Sequence, residues 1–309
     1  MWLDRQGKTL GTVGPPGTDV GIWLSPDGTR AVVRDTRGES SVAMSSGDLW
    51  TGASTGDLWT IDLARGLRTR LTFHQGAGGF QSVWSPDGSR IAFAAGNRLD
   101  TLYEKASSGA GDEKELLKEP GTIHTPTSWS SDGRFLLYYT ANVPKTGYDV
   151  WLLPLQGDRK PLLLLGSVFN EWAARFSPDM RWIAYASTET GDGEVYVRPF
   201  MAAGPNGAPA LGEGKWQVSR GTGNWPRWRA DGKEIIYMRG DNAKMGVEVK
   251  TRGAAFESGV PQLLFQGPVD SGWDVTADGR RFLLAASQAR QTGPVPITVV
   301  LNWQALLKK

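Results

Sequence analysis

Four groups of residues in this 309-residue chain have types and spacing that suggest chemistry. The segment "GASTG" at 52–56 matches G-x-S-x-G, with Ser54 in the nucleophile position. That mechanism needs a strand-to-helix turn and a nearby histidine base. Here the motif lies between two strand-like segments with no helix pattern after it, so it reads as linker. The two histidines, His74 and His124, stand alone rather than in zinc-ligand spacing, and each reads as a loop or hydrogen-bonding residue. "TGDGE" at 190–194 lacks the alternating oxygen ligands of an EF-hand loop, leaving loop carbonyls as a source of calcium ligands. The fourth group is a serine two residues before an aspartate, as in "VWSPDGSRIAF" at 83–93.

Repetition explains that last pair. Related strings occur at 23–33, 129–139, 176–186, 228–238 and 275–285, with Asp27, Asp87, Asp132, Asp179, Asp231 and Asp278 in register. The aspartates lie 60, 45, 47, 52 and 47 residues apart. A catalytic pair is not needed six times, whereas Asp-Gly between apolar runs is a hairpin signal, glycine tolerating the positive φ of a tight turn. One copy carries Met180 where the others have glycine, which predicts a strained or differently shaped turn.

The elements around these turns set the fold. Three residues before each aspartate stand Leu24, Trp84, Trp129, Phe176, Trp228 and Val275. The strand after each turn is apolar on both faces, as expected of a sheet stacked between two others. Third strands follow at 57–66, 149–158, 194–203 and, more weakly, 100–109, with shorter fourth strands such as 67–73 and 214–219. Only 111–119, "GDEKELLKE", has helical composition, and a strand is expected within it. The segment 203–214 reads as an extended loop between strands three and four of the fourth unit. The long first spacing is explained by "GDLWT" at 47–51 and again at 56–60, a local loop duplication. The expectation is an all-β, six-bladed β-propeller of four-stranded antiparallel blades, a single domain over 1–309. The last blade has strands within 271–286 and one at 296–303, and pairing of the N- and C-terminal strands closes the ring.

Composition excludes several classes. With 34 Lys plus Arg against 32 Asp plus Glu, scattered along the chain, there is no basic footprint for nucleic acid and no polybasic membrane patch. No apolar run reaches the roughly 20 residues of a membrane span. With no cysteine there are no disulfides, thiolate chemistry or Cys-ligated metals. The opening "MWLDRQGKTL" reads as folded sequence rather than a signal peptide. A location outside the cytoplasm therefore requires an export signal on a longer parent protein.

The repeats also resemble a known family. "WSPDG…IAF" looks like the TolB-like six-bladed propellers, a group related to the propeller of prolyl oligopeptidases. The closer resemblance is to the propeller region C-terminal to the kinase domain of bacterial receptor-type serine/threonine kinases. It is carried by "FNEWAARFSPD" (169–179), "PRWRADGKEIIYM" (226–238), "WDVTADGRRFLL" (273–284) and the terminal "ITVVLNWQALLKK" (297–309). No Gly-rich phosphate loop, "HRD" or "DFG" occurs in the chain. The resemblance thus implies a bacterial sensor or interaction module, extracytoplasmic (periplasmic or cell-surface), and not phosphoryl transfer.

Propeller geometry nominates the site. The loop entering each inner strand forms one rim of the channel. Eight residues before the turn aspartates stand Asp19, Gly79, His124, Glu171, Gly223 and Asp270, and one position later Val20, Phe80, Thr125, Trp172, Asn224 and Ser271. Asp19, Phe80, His124, Glu171, Trp172, Asn224, Trp225 and Asp270 are therefore expected at the channel mouth, with Asn97–Arg98, Lys145 and Asp241–Lys244 on the outer rim. Arg68 and Arg70 read as solvated charges. Asp19, His124, Glu171 and Asp270 are the candidate ligands for a divalent cation, calcium among them. Two functions follow. One is a non-catalytic propeller binding a protein, a peptide or a small molecule at its rim, favoured because no nucleophile–base pair is evident. The alternative is a funnel-site enzyme, a metal-dependent lactonase, esterase or lyase, using the mouth carboxylates.

Overall fold

A computed structural model describes residues 1–14, 19–35, 56–73, 81–96, 99–204, 206–267 and 270–286, and from these the side chains of Asn142, Asp270, Ser271 and Ala286 are left aside. All regular structure among them is β, in six antiparallel sheets. From the innermost strand outward, blade 1 is Asp19–Leu24, Arg30–Asp35, Asp57–Asp62 and Arg68–Arg70. Blade 2 is Ser82–Trp84, Arg90–Ala95, Thr101–Ala106 and Lys114–Lys118. Blade 3 is Ile123–Trp129, Phe135–Val143, Gly147–Pro154 and Leu162–Leu165. Blade 4 is Glu171–Phe176, Trp182–Ser187, Glu194–Met201 and Trp216–Gln217, and blade 5 is Asn224–Trp228, Glu234–Met238, Ala243–Arg252 and Gln262–Gln266.

Blade 6 is made from both chain ends. Asp270–Val275 and Arg281–Ala286 supply its inner strands, and Trp2–Asp4 pairs directly with Arg281–Leu283, followed by Thr9–Gly11. The ring closes as expected, but the N-terminal segment fills both the third and the fourth positions. The strand expected at 296–303 lies outside the described residues, as do Ser54, His74 and the first "GDLWT" copy. The helix-like segment 111–119 is the fourth strand of blade 2. The loop at 203–214 contains a short additional strand, Ala210–Leu211, paired with Phe200–Met201.

The core is divided among the blade interfaces. Six apolar clusters lie between successive blades, the largest joining Leu137, Val150 and Tyr139 of blade 3 to Phe176, Ile183 and Tyr185 of blade 4. Second strands are buried on both faces, completely so in Trp182–Ser187. At about 25 cal/mol per Å² of apolar surface removed from water, these stacked faces are the main source of stability.

The Ser-x-Asp pairs are turns. Ser25 Oγ donates to Asp27 Oδ1 at 2.6 Å, Thr29 N donates to the same oxygen at 3.0 Å, and Gly28 N closes the turn on Ser25 O at 2.8 Å. Ser85, Ser130, Ser177 and Thr276 repeat the hydroxyl-to-carboxylate bond, while in blade 5 Arg229 takes that role toward Asp231 at 2.8 Å. These donors hold the aspartates below the usual carboxylate range, Asp87 and Asp231 at about 2. The Met180 turn keeps the common shape: its φ of +59° lies close to the +68° of Gly28 and Gly88. The strain therefore sits in one left-handed methionine rather than in an altered turn.

Candidate functional site

A repeated irregularity decides where the predicted side chains point. The inner strands of blades 1, 3, 4, 5 and 6 each carry a register shift in their first half, such as that between Trp172 and Arg175. Ala173 and Trp225 sit at φ +54° and +52° in two of these bulges, and Gly21 at +67° in a third. An extra residue reverses the alternation of faces. Glu171 lies opposite Ser187 and Phe176 opposite Ile183, so Glu171 shares the face of Phe176, toward blade 3. Unbroken alternation would have placed it with Arg175.

The consequences differ at each predicted position. Asp19 accepts from Arg68 Nη2 at 2.7 Å, and burial still raises its pKa. Arg70 Nη2 likewise reaches Asp57 Oδ2 at 2.5 Å, where Asp57 is 1% exposed. Arg68 and Arg70 are thus ion-pair partners within blade 1, not simply solvated charges, and their guanidinium groups also lie over the rings of Trp59 and Phe73. His124 is fully buried, edge-on to Tyr138 at 5.3 Å; among the described residues neither ring nitrogen has a hydrogen-bond partner, though Glu119 Oε2 lies 3.5 Å from Nε2. Burial outweighs the attraction of Asp100 and lowers its pKa to about 4, so the ring is neutral at pH 7. Lys244, expected on the outer rim, is buried instead, 5.3 Å from the Trp273 ring centroid. Asp270 opens the inner strand of blade 6 opposite Ala286, and Phe80 and Asn97–Arg98 lie outside the described residues.

Glu171, Trp172, Asn224 and Trp225 remain near one another. Trp172 Nε1 donates to Asn224 Oδ1 at 2.6 Å, joining blades 4 and 5, and Trp225 N donates to the same oxygen at 3.2 Å. Trp172 also packs edge-on against Tyr148 at 6.4 Å. Glu171 accepts from Ser167 Oγ at 2.5 Å, and its pKa is raised, burial outweighing that bond. It opens into a groove of about 330 Å³ between blades 3 and 4, shared with Tyr185, Arg198 and the Glu189–Lys215 ion pair. The exposed Phe169 lines this groove, and the exposed Leu163 and Val168 are next in sequence to its lining residues Leu164, Ser167 and Phe169. No group of three His, Asp or Glu side chains suited to a metal ion occurs among the described residues.

A second concavity lies at the other end of the channel, on the side of the Ser-x-Asp turns. It measures about 350 Å³ and draws its lining from five blades, including Trp84, Trp129, Arg175, Phe176, Arg227 and Trp228. Four residues before the turn aspartates stand Trp23, Val83, Ser128, Arg175, Arg227 and Asp274, of which Ser128, Arg175 and Arg227 line this cavity. They stitch neighbouring blades. Leu24 N donates to Asp274 Oδ2 at 2.9 Å, Phe176 N to Ser128 Oγ at 3.2 Å, and Trp84 Nε1 to Trp23 O at 3.0 Å. Arg227 Nε binds Asp274 Oδ1 at 3.0 Å. Reading only the loop-side positions missed this ring. Its signal was a charged residue directly before the apolar −3 position in blades 4, 5 and 6.

The architecture defines a six-bladed β-propeller closed by its own termini. Comparison places it among the TolB-like propellers in fold. The chain is similar to the putative TolB from Agrobacterium tumefaciens, at 16% identity over 91% of this chain and 94% of that one, with a TM-score of 0.62. It is also similar to an oligogalacturonate lyase in complex with manganese, at 14% identity over 85% of this chain and 70% of that one, TM-score 0.55. The oligogalacturonate lyase of Vibrio parahaemolyticus matches at 11% identity over 87% and 78%, TM-score 0.51. No family model and no curated protein sequence matches the chain. No helix among the described residues is long and apolar enough to cross a membrane.

Proposed function

We propose that this chain acts as one propeller unit that binds a protein or peptide without catalysing a reaction, at the groove between blades 3 and 4. The observation that carries this reading is the exposed Phe169 in the groove wall beside Glu171 and the Glu189–Lys215 pair, with exposed Leu163 and Val168 next in sequence to lining residues. Exposed apolar side chains rimmed by polar groups are typical of interaction sites. Trp172 and Asn224 hold the two inner strands behind the groove in register. The resemblance of the repeats to receptor-kinase propellers supports a sensor role in an extracytoplasmic part of a signalling protein.

A photoreactive amino acid at Val168 or Phe169, introduced in the native host, is expected to yield a discrete protein adduct. The same residue at Leu10, exposed on the outer strand of blade 6, is expected to yield none. Absence of an adduct at both groove positions overturns the proposal. The funnel-enzyme alternative is tested separately by metal analysis of purified protein. A stoichiometric divalent ion, lost when Glu171 and Asp270 are both changed to Ala, would favour it over the binding module.

A further inference from the structure

We propose that the turn-side cavity of the channel is a second binding site, for a small organic carboxylate with an apolar body. The argument begins with Arg175. Its Nε and Nη2 are buried and find no hydrogen-bond partner among the described residues. A guanidinium with unused donors in such a place carries a desolvation cost that only an acceptor entering the cavity can offset.

The surrounding groups leave that position to a ligand. Asp274 is the nearby carboxylate, but its oxygens already accept from Arg227 Nε, Leu24 N and Val275 N. Two guanidinium groups therefore face one committed carboxylate, an excess of one positive charge. That count suits a monoanion, and the planar fork of a guanidinium matches a carboxylate. The remaining wall is aromatic and proline, with three serines, Ser128, Ser131 and Ser177. The indole N–H groups of Trp84, Trp129 and Trp228 are committed to the carbonyls of Trp23, Gly133 and Arg175, so the wall offers apolar surface and no spare indole donor. A volume of about 350 Å³ lies in the range of small-molecule sites.

Benzoate and benzamide, alike in shape and different in charge, are suitable probes, read by thermal unfolding and by tryptophan fluorescence. Benzoate is expected to raise the melting temperature saturably, with half-saturation below about 10 mM. Benzamide is expected to leave it unchanged. Arg175→Met is expected to weaken benzoate binding at least tenfold, with Arg175→Gln as the second variant. No saturable benzoate response, an equal response to benzamide, or undiminished binding by a folded Arg175 variant overturns the proposal. The wild-type pair of probes decides the matter even if neither variant folds. None of these readouts involves Val168 or Phe169, so failure here is distinguishable from failure of the groove.

Discussion

At the loop end of the channel Asp19 has Arg68, Glu171 has Ser167, Glu189 has Lys215, and His124 carries no charge at pH 7. At the turn end, Arg175 has no hydrogen-bonding counter-ion beside it. The same inner strands build both ends, and the bulge carried by those of blades 1, 3, 4, 5 and 6 separates the two behaviours. Before the bulge, Asp19 and Glu171 are turned into blade faces and accept hydrogen bonds there, and His124 is buried neutral. After it, polar side chains stand around the axis, where a chain of cross-blade bonds leaves one cation over. Residues nominated by a rim position can thus serve as joints, while a position inside an apolar strand opens onto a cavity.

The largest test of that contrast is Trp172→Ala. As a joint between blades, Trp172 should cost roughly 3–5 kcal/mol of stability when truncated. Arg175→Met, which removes an unpaired buried charge, should leave stability unchanged or raise it. Urea unfolding of both variants checks the pair, and an unaltered midpoint for Trp172→Ala would make it ligand wall rather than joint. Next is His124. Its folded pKa of about 4 lies below the ordinary 6.5, so protonation favours the unfolded chain. Its contribution is complete above pH 6.5 and falls as pH drops toward 4, by up to about 3 kcal/mol. His124→Phe should flatten that part of the stability–pH curve, and a curve that keeps its slope would place the titration elsewhere.

Smaller effects belong to the turns. Met180→Gly relieves a left-handed non-glycine residue and should stabilise by about 1 kcal/mol, read as a rise in melting temperature. The turn aspartates have depressed pKa values, so their contribution is present above about pH 4 and disappears as pH falls toward 2. Asp87 and Asp231 are exposed, so this acid loss should be slight and should shrink further in high salt. A large, salt-insensitive loss in that window would point to a buried group instead.

Much of this architecture could be read from the chain because the repeat is long and its markers are physical. Aspartate at the turn, an apolar residue three before it and a doubly buried strand after it recur at similar spacing, so blade number, strand order and closure all follow. Two kinds of detail could not be read. A bulge leaves no fixed residue signature: glycine, alanine and tryptophan occupy the left-handed position in blades 1, 4 and 5. Counting back eight residues from Asp179 therefore arrives at Glu171 but mistakes the face it occupies. Partners on distant strands were equally hidden. Arg68 lies 49 residues from Asp19, and nothing local shows that the two meet. The arginines at 175 and 227 stand four residues before the turn aspartates, a position where the blades share no residue type.

The pairing of Trp2–Asp4 with Arg281–Leu283 imposes an order on the making of the protein. Within this ring Trp2–Asp4 is made before the other five blades and Arg281–Leu283 after them, so the earlier strand waits through their synthesis paired only with Thr9–Gly11. Throughout that interval the nascent molecule has two open borders with hydrogen-bonding groups that any passing strand could match. Slow, non-local closure of this kind makes late elongation the stage most dependent on chaperones, and the final latch the step that commits the whole circle.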